Sequence, residues 1–293
     1  MPPTLTEAHP PLPLNELTTL IGSFSALPIR DKKLVIDRLV AVHPTFNVQW
    51  GGGWSYRRCR KIGDGVRPNS VNDLLWPKGV SAKLGRANPA GYQVLYLADR
   101  QDTAFQEARM GNGQAVVANF VIQAGRSIHV APIGEIIQVH RTGRGLFVGA
   151  HSELITNMLN ACNRDEVRSL LITDAFLLDC FVGHDDYDIS SHVALSIFRK
   201  LPIISSVAYP SRRQLGGTNF AVRIERFWQD WALKSVRYGN VQELAMGFYK
   251  VSDAQAVSRI YADGRLDWEA LDNPEARLDF EHPFVMENFN GPA

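Results

Sequence analysis

The chain has 293 residues, 45% of them hydrophobic and 21% charged, with 31 basic against 30 acidic side chains. A chain of this size can bury a sizeable core, and this balance argues against a disordered protein, a coiled coil or a molecule whose overall field attracts nucleic acid or membrane. Cys59, Cys162 and Cys180 form no CxxC pair and read as reduced thiols, so neither a disulfide framework nor a structural zinc site is expected.

The opening segment, MPPTLTEAHPPLPLNEL, lacks a basic stretch followed by an apolar one, and no run approaches the roughly 18 apolar residues of a membrane span. The expected site of action is therefore the cytoplasm. Residues 1–13 carry five prolines and read as an extended tail. Apolar residues at helical spacing predict helices over 15–27 and 31–42, joined at Pro28, as an accessory layer within 1–50.

Gly51-Gly52-Gly53 breaks the chain, and its pattern is a loop rather than a dinucleotide fingerprint. Strands are predicted over 94–98, 116–122 and 127–130. Asp102 and Thr103 are positioned to cap a short helix over 104–110, with Thr103 and Gln106 at capping-box spacing. Helices are predicted within 152–181, inside an insertion spanning about 140–183, and over 190–200. Two strands, 205–209 and 220–224, flank a turn at Gly216-Gly217, and the segment from Phe227 onward is read as mostly helix and loop.

Generic motifs exclude several chemistries. No phosphate loop of the form GxxxxGK(S/T), no HExxH and no GxSxG occurs. The run His184-Asp185-Asp186 with Asp188 lacks the further oxygen ligands of a hard-cation site and reads as a solvated acidic loop. The basic run Arg57-Arg58-Cys59-Arg60-Lys61, taken alone, reads as a solvated strand end.

The informative stretch is GRANPAGYQVLYLADRQDTAFQEAR, residues 85–109, which sets out Arg86, then Tyr96 on a strand, then Glu107 on a helix. WSYRRCR upstream supplies Arg57, and AYPSRRQLGGTNFAV downstream supplies Ser211 and Asn219. Singly, each residue has an ordinary reading: a surface ion-pair partner for Arg57 or Arg86, a core residue for Tyr96, a solvated helix residue for Glu107, a turn residue for Ser211. In this order and context the set resembles the RES family, named for an Arg, a Glu and a Ser, over roughly residues 54–225. A weaker block is Tyr187 through SSHVALSIFRK, with His192 where the family has a glutamine. Ala87 stands where the family's Gly-Arg-Trp-Asn block has tryptophan.

The resemblance implies an α+β fold related to ADP-ribosyltransferases, a split, twisted sheet around an NAD⁺ cleft with accessory helices at both termini. The catalytic domain would span 51–226, and 227–293 would pack on it. The implied activity is that of a bacterial toxin-like enzyme cleaving the nicotinamide–ribose bond of NAD⁺, as a glycohydrolase or phosphorylase. The alternatives are a protein mono-ADP-ribosyltransferase and a non-catalytic nucleotide-binding module. Guanidinium groups suit a diphosphate, so Arg57 and Arg86 are its candidate ligands. Tyr96 would stack on the cationic nicotinamide ring. Glu107 would stabilise the oxocarbenium-like transition state. Ser211 would hydrogen-bond nicotinamide or phosphate, and Asn219 completes the set in contact with NAD⁺. No Ser-His-carboxylate arrangement makes Ser211 a nucleophile. No metal and no cofactor beyond NAD⁺ as substrate is implied. The expected partner is an Xre-type antitoxin or an immunity protein.

Overall fold

The structure, a computed structural model, describes residues 2–271 apart from 64–65, 77–79, 148–149, 184–185 and 246. The cation-loop residues His184 and Asp185 and the chain beyond Leu271 thus lie outside the described residues. The architecture is mixed α+β, and its described strands form one ten-stranded, mostly antiparallel sheet.

Three helices precede the sheet: α1 (Leu5–Ala8), α2 (Leu14–Phe24) and α3 (Ile29–Val42). The first lies in the segment expected to be extended. There Thr4 and Glu7 cap each other: the Glu7 N–H donates to Thr4 Oγ1 at 3.3 Å and the Thr4 N–H donates to Glu7 Oε2 at 2.7 Å. Then come β1 (Val48–Gly51), β2 (Ser55–Ile62), β3 (Val94–Ala98), α4 (Gln101–Glu107), β4 (Asn112–Ile122) and β5 (Ser127–Pro132). Helices α5 (Glu135–Thr142), α6 (Ala150–Asn160) and α7 (Arg164–Leu178) follow, then a π-helical turn, Asp179–Gly183, and α8 (Tyr187–Lys200). The chain returns to the sheet through β6 (Ser206–Pro210) and β7 (Thr218–Arg223) and, after the short α9 (Phe227–Asp230), adds β8 (Trp231–Ala245), β9 (Phe248–Ile260) and β10 (Leu266–Ala270).

The described part of the segment after Phe227, to Leu271, is therefore mostly strand rather than the expected helix and loop, and no helical layer follows α9 among the described residues. Strand β8 pairs with β4 along its length, so this segment extends the sheet instead of packing on it. Bulges explain why the sequence pattern hides it. The β4–β8 register slips between Asn119 and Phe120, and the β8–β9 register slips at Tyr238/Asn240 and Glu243/Ala245. Each extra residue reverses the in-out alternation by which a strand is recognised.

Strand order is β1-β5-β6-β7-β3-β2-β4-β8-β9-β10. Its halves differ in how tightly they are joined. Strands β2 and β4 pair over eight positions, from Ser55↔Val121 to Ile62↔Gln114, whereas β2 and β3 share only Arg57↔Ala98. One face of the β3-containing half carries Val94, Val207, Tyr209 and Ala221 against α3, the π-turn and α8. The other face joins the second half in a core of Leu95, Leu97, Phe120, Phe220, Trp231 and Val236. A smaller cluster of Phe105, Met110, Val117, Val241 and Tyr249 seats α4 on the second half.

The helices between β5 and β6 form a layer around a buried acidic pair. Asp174 accepts the Ile137 N–H at 2.8 Å and faces His43 Nε2 at 3.0 Å. Glu135, 2% exposed, accepts the N–H groups of Leu146 at 2.7 Å and Phe147 at 3.4 Å. Gly145 passes so close that a Cβ there would lie 1.8 Å from Glu135 Oε1. Burial, with the nearby Asp174 charge adding to it, pushes the Glu135 carboxyl up from 4.5 to about 7. Its neutral form is favoured in the folded state, so this group's contribution to stability is complete below pH 4.5 and lost as pH rises to about 7. Thermal unfolding of Glu135→Gln against the parent chain should show a difference that changes across that interval. A constant difference would contradict the assignment.

Candidate functional site

The single β2–β3 pair leaves backbone carbonyls on β3 and beyond it that no ladder partner reaches. Two arginine side chains from β2 occupy the opening. Arg57 Nη1 donates to the Asp99 carbonyl at 3.0 Å, and also to the Ser55 carbonyl. Arg58 Nη1 donates to the Tyr96 carbonyl at 3.2 Å. Tyr56, the residue before Arg57, anchors β2 in the core, edge-on to Phe220 and Trp231 with ring centroids 5.0 Å apart in each case. Burial, and then the neighbouring Arg60, lower the Arg58 guanidinium to about 10.

Over this junction lies a cavity of about 500 Å³, within the common range for ligand pockets. Arg57, Arg86, Tyr96, Glu107 and Asn219 all border it. Ser211 stands behind Glu107. Ser211 Oγ donates to Glu107 Oε1 at 2.7 Å and Asn219 Nδ2 donates to the same oxygen at 2.7 Å. Ser211 Oγ in turn accepts the N–H groups of Arg213 at 3.1 Å and Gln214 at 3.0 Å. Its hydrogen and its lone pairs are thus engaged, and the hydroxyl assigned from sequence to nicotinamide or phosphate instead holds Glu107. Oε2 of Glu107 has no hydrogen-bond partner among the described residues.

Helix α4 delivers Glu107 as its last residue. Thr103 and Asp102, expected to cap it, lie inside its first turn, and Arg100 occupies the N-cap without its side chain making a capping bond. The other end is closed by paired backbone bonds, Met110 N–H to Phe105 carbonyl at 2.9 Å and Arg109 N–H to Gln106 carbonyl at 3.0 Å. The Phe105 ring packs at a tilt against Tyr249 of β9, centroids 4.9 Å apart, and the Tyr249 hydroxyl donates to the Met110 carbonyl at 3.2 Å. The C-terminal hairpin therefore supports the helix that presents Glu107.

Arg86 enters from the opposite wall. Its Nη1 donates to the Phe181 carbonyl of the π-turn at 2.7 Å, and its guanidinium lies over the Tyr187 ring, 5.3 Å from the centroid. Tyr96 fixes the loop that carries it. The Tyr96 hydroxyl accepts the Ala87 N–H at 2.9 Å and donates to Asn88 Oδ1 at 2.7 Å. Space is so short that a Cβ at Gly85 would meet Asn88 Oδ1 at 2.6 Å and the Tyr96 hydroxyl at 2.8 Å. Burial raises the Tyr96 phenol well above its usual value, which keeps it protonated as the donor to Asn88. Ala87 is packed in the core, 1% exposed, and so does not stand in for an aromatic cavity wall. His192 is likewise elsewhere, with Nε2 2.9 Å from Asp37 Oδ1, tying α8 to α3.

The sequence reading missed part of the cavity wall. Tyr209 from β6, Tyr187, Arg109, Arg212 and Arg213 border it too. Six arginines thus line the cavity against one carboxylate, Glu107, in a chain whose formal net charge is only +1. Such concentration of one sign in a concave site attracts anions. Among the described residues, no group of three His, Cys, Asp or Glu side chains is placed to hold a metal ion, and no helix is long and apolar enough to cross a membrane.

In comparisons with known proteins, no family model, no curated protein and no solved structure matches the chain.

Removing the Tyr96 hydroxyl should loosen the Arg86 loop, because it leaves the Ala87 N–H and Asn88 Oδ1 without that partner. Tyr96→Phe is expected to cost about 1–3 kcal/mol in urea unfolding. Unchanged stability would show that water or a shifted loop replaces the hydroxyl.

Proposed function

We propose that the protein cleaves the nicotinamide–ribose bond of NAD⁺, as a toxin-like enzyme of the RES type related to ADP-ribosyltransferases, and passes ADP-ribose to water or inorganic phosphate. The observation that carries this reading is Glu107, held through Oε1 by Ser211 and Asn219 with Oε2 unpartnered among the described residues, in a cavity whose other charged lining residues are arginines. A ligand suited to this cavity is anionic along most of its length and develops positive charge at one point. NAD⁺ during loss of nicotinamide has that pattern: the diphosphate is anionic, and the ribose becomes oxocarbenium-like as the C1′–N bond breaks.

In the proposed reaction Arg57 and Arg86 grip the diphosphate. Arg57 Nη1 donates to the Asp99 carbonyl and Arg86 Nη1 to the Phe181 carbonyl, bonds that hold the two guanidinium groups at the cavity wall. The carboxylate of Glu107 stabilises positive charge on the ribose more in the transition state than in the ground state. Nicotinamide leaves with the bonding electron pair as a neutral ring, so the leaving group needs no proton. Water or phosphate then adds at C1′ on an oxygen lone pair, and water loses a proton in doing so. Ser211 and Asn219 act as positioning residues for Glu107. The same reading calls for an Xre-type antitoxin or an immunity protein to protect the producing cell.

Incubation with NAD⁺ should release free nicotinamide. Glu107→Gln should slow release by at least about a hundredfold while thermal stability is retained, because a Gln amide oxygen can still accept from Ser211 and Asn219. Nicotinamide release by that variant at the parent rate would refute the assignment.

A further inference from the structure

Arg109 occupies a backbone position that suits glycine. It is the first residue beyond the C-cap of α4, with φ 53°, in the left-handed region where a side chain is disfavoured. Among the described residues only one other non-glycine residue, Asp253, has positive φ, and that one sits where the β8–β9 register is irregular. A helix end closed by this pair of backbone bonds gains nothing from an arginine there, and strain of this kind at a cleft points to a use for the side chain. Arg109 borders the cavity, two residues beyond Glu107, and its side chain has no hydrogen-bond or ion-pair partner among the described residues. Arg213, between β6 and β7, also borders the cavity with its side chain unpartnered among the described residues, and its N–H donates to Ser211 Oγ.

The cavity thus has two cationic stations. Arg57 and Arg86 form an inner one, fastened to backbone carbonyls. Arg109 and Arg213 form an outer one, adjoining Glu107 and exposed. A dinucleotide's diphosphate occupies only one of them. We propose that Arg109, with Arg213, is a second anion subsite that binds a phosphate group other than the diphosphate. This inference rests on the NAD⁺-cleaving reading for its catalytic meaning, but not for the binding itself. Two sources share this chemistry: free inorganic phosphate, and a monophosphate carried on the substrate's own ribose, as in NADP⁺. If free phosphate is the source, one of its oxygens bonds to C1′ as the C1′–N bond breaks. The electron pair leaves on neutral nicotinamide, and monohydrogen phosphate needs no base to react.

The test uses the full chain, Arg109→Gly and Arg109→Ala. Glycine removes both guanidinium and backbone strain, and alanine removes the guanidinium while keeping the strain. Melting temperature is followed against inorganic phosphate at ionic strength matched with chloride. Without phosphate, Arg109→Gly should melt above Arg109→Ala. The phosphate concentration giving half the stabilising shift should rise at least about tenfold in both variants, the loss of roughly one charge-assisted contact. An unchanged midpoint in both variants would overturn the proposal. Nicotinamide release then separates the sources. A fall in the NADP⁺ to NAD⁺ ratio of kcat/KM on substitution assigns the site to the substrate's phosphate, and loss of stimulation by added phosphate assigns it to the free anion. If the parent chain releases no nicotinamide from either dinucleotide, the catalytic reading fails, while the phosphate midpoint still decides the role of Arg109.

Discussion

Strands β2 and β3 meet at one ladder pair, Arg57 with Ala98, and everything at the cleft follows from how that narrow join is completed. A sheet that parts so abruptly leaves carbonyls unpaired in a partly buried place, at a cost of about 1–3 kcal/mol for each one left unsatisfied. Here the carbonyls of Tyr96 and Asp99 accept from Arg58 and Arg57 instead of from a neighbouring strand. Arginine suits this because its fork of donors reaches across a gap that a backbone N–H cannot span. The opening between the two halves is thereby kept as a cavity, and guanidinium groups are left on its wall.

The same arrangement sets the electrostatics. The backbone carbonyls of Asp99 and Phe181 hold Arg57 and Arg86 at the cavity wall, where a guanidinium can meet an anionic ligand. Glu107 receives the opposite treatment. Neutral donors from Ser211 and Asn219 fix one oxygen of its carboxylate, in a cavity whose other charged lining residues are arginines. In the proposed function, arginines at several points and one carboxylate at a fixed point would suit a substrate whose charge changes sign locally during reaction.

Parts of this were legible in the chain. The apolar run Val94–Ala98 sits inside the sheet as its composition implied, and Arg57, Arg86, Tyr96, Glu107, Ser211 and Asn219 converge although Glu107 and Ser211 are 104 positions apart. Their convergence followed from a resemblance and not from periodicity. What was not legible has identifiable causes. Strand β8 lost its alternation to bulges, and its placement beside β4 depends on pairing between distant segments. The work of the Tyr96 hydroxyl depends on a loop folding back on it, and the rise of Glu135 depends on burial that no local pattern encodes. Arg109 gave no signal at all, since a left-handed residue shows in sequence only when it is glycine or asparagine.

The account stands or falls on whether arginines at the sheet junction bind the diphosphate of NAD⁺. The direct measurement is calorimetric titration of NAD⁺ into the Glu107→Gln chain, where turnover is suppressed, with and without Arg57→Lys. Lysine keeps the charge but loses the forked geometry, so affinity should fall at least about tenfold while the far-ultraviolet spectrum and melting profile stay those of a folded protein. Equal affinity in the two proteins would contradict the role given to Arg57 and, with it, the reading of this junction as the NAD⁺ site.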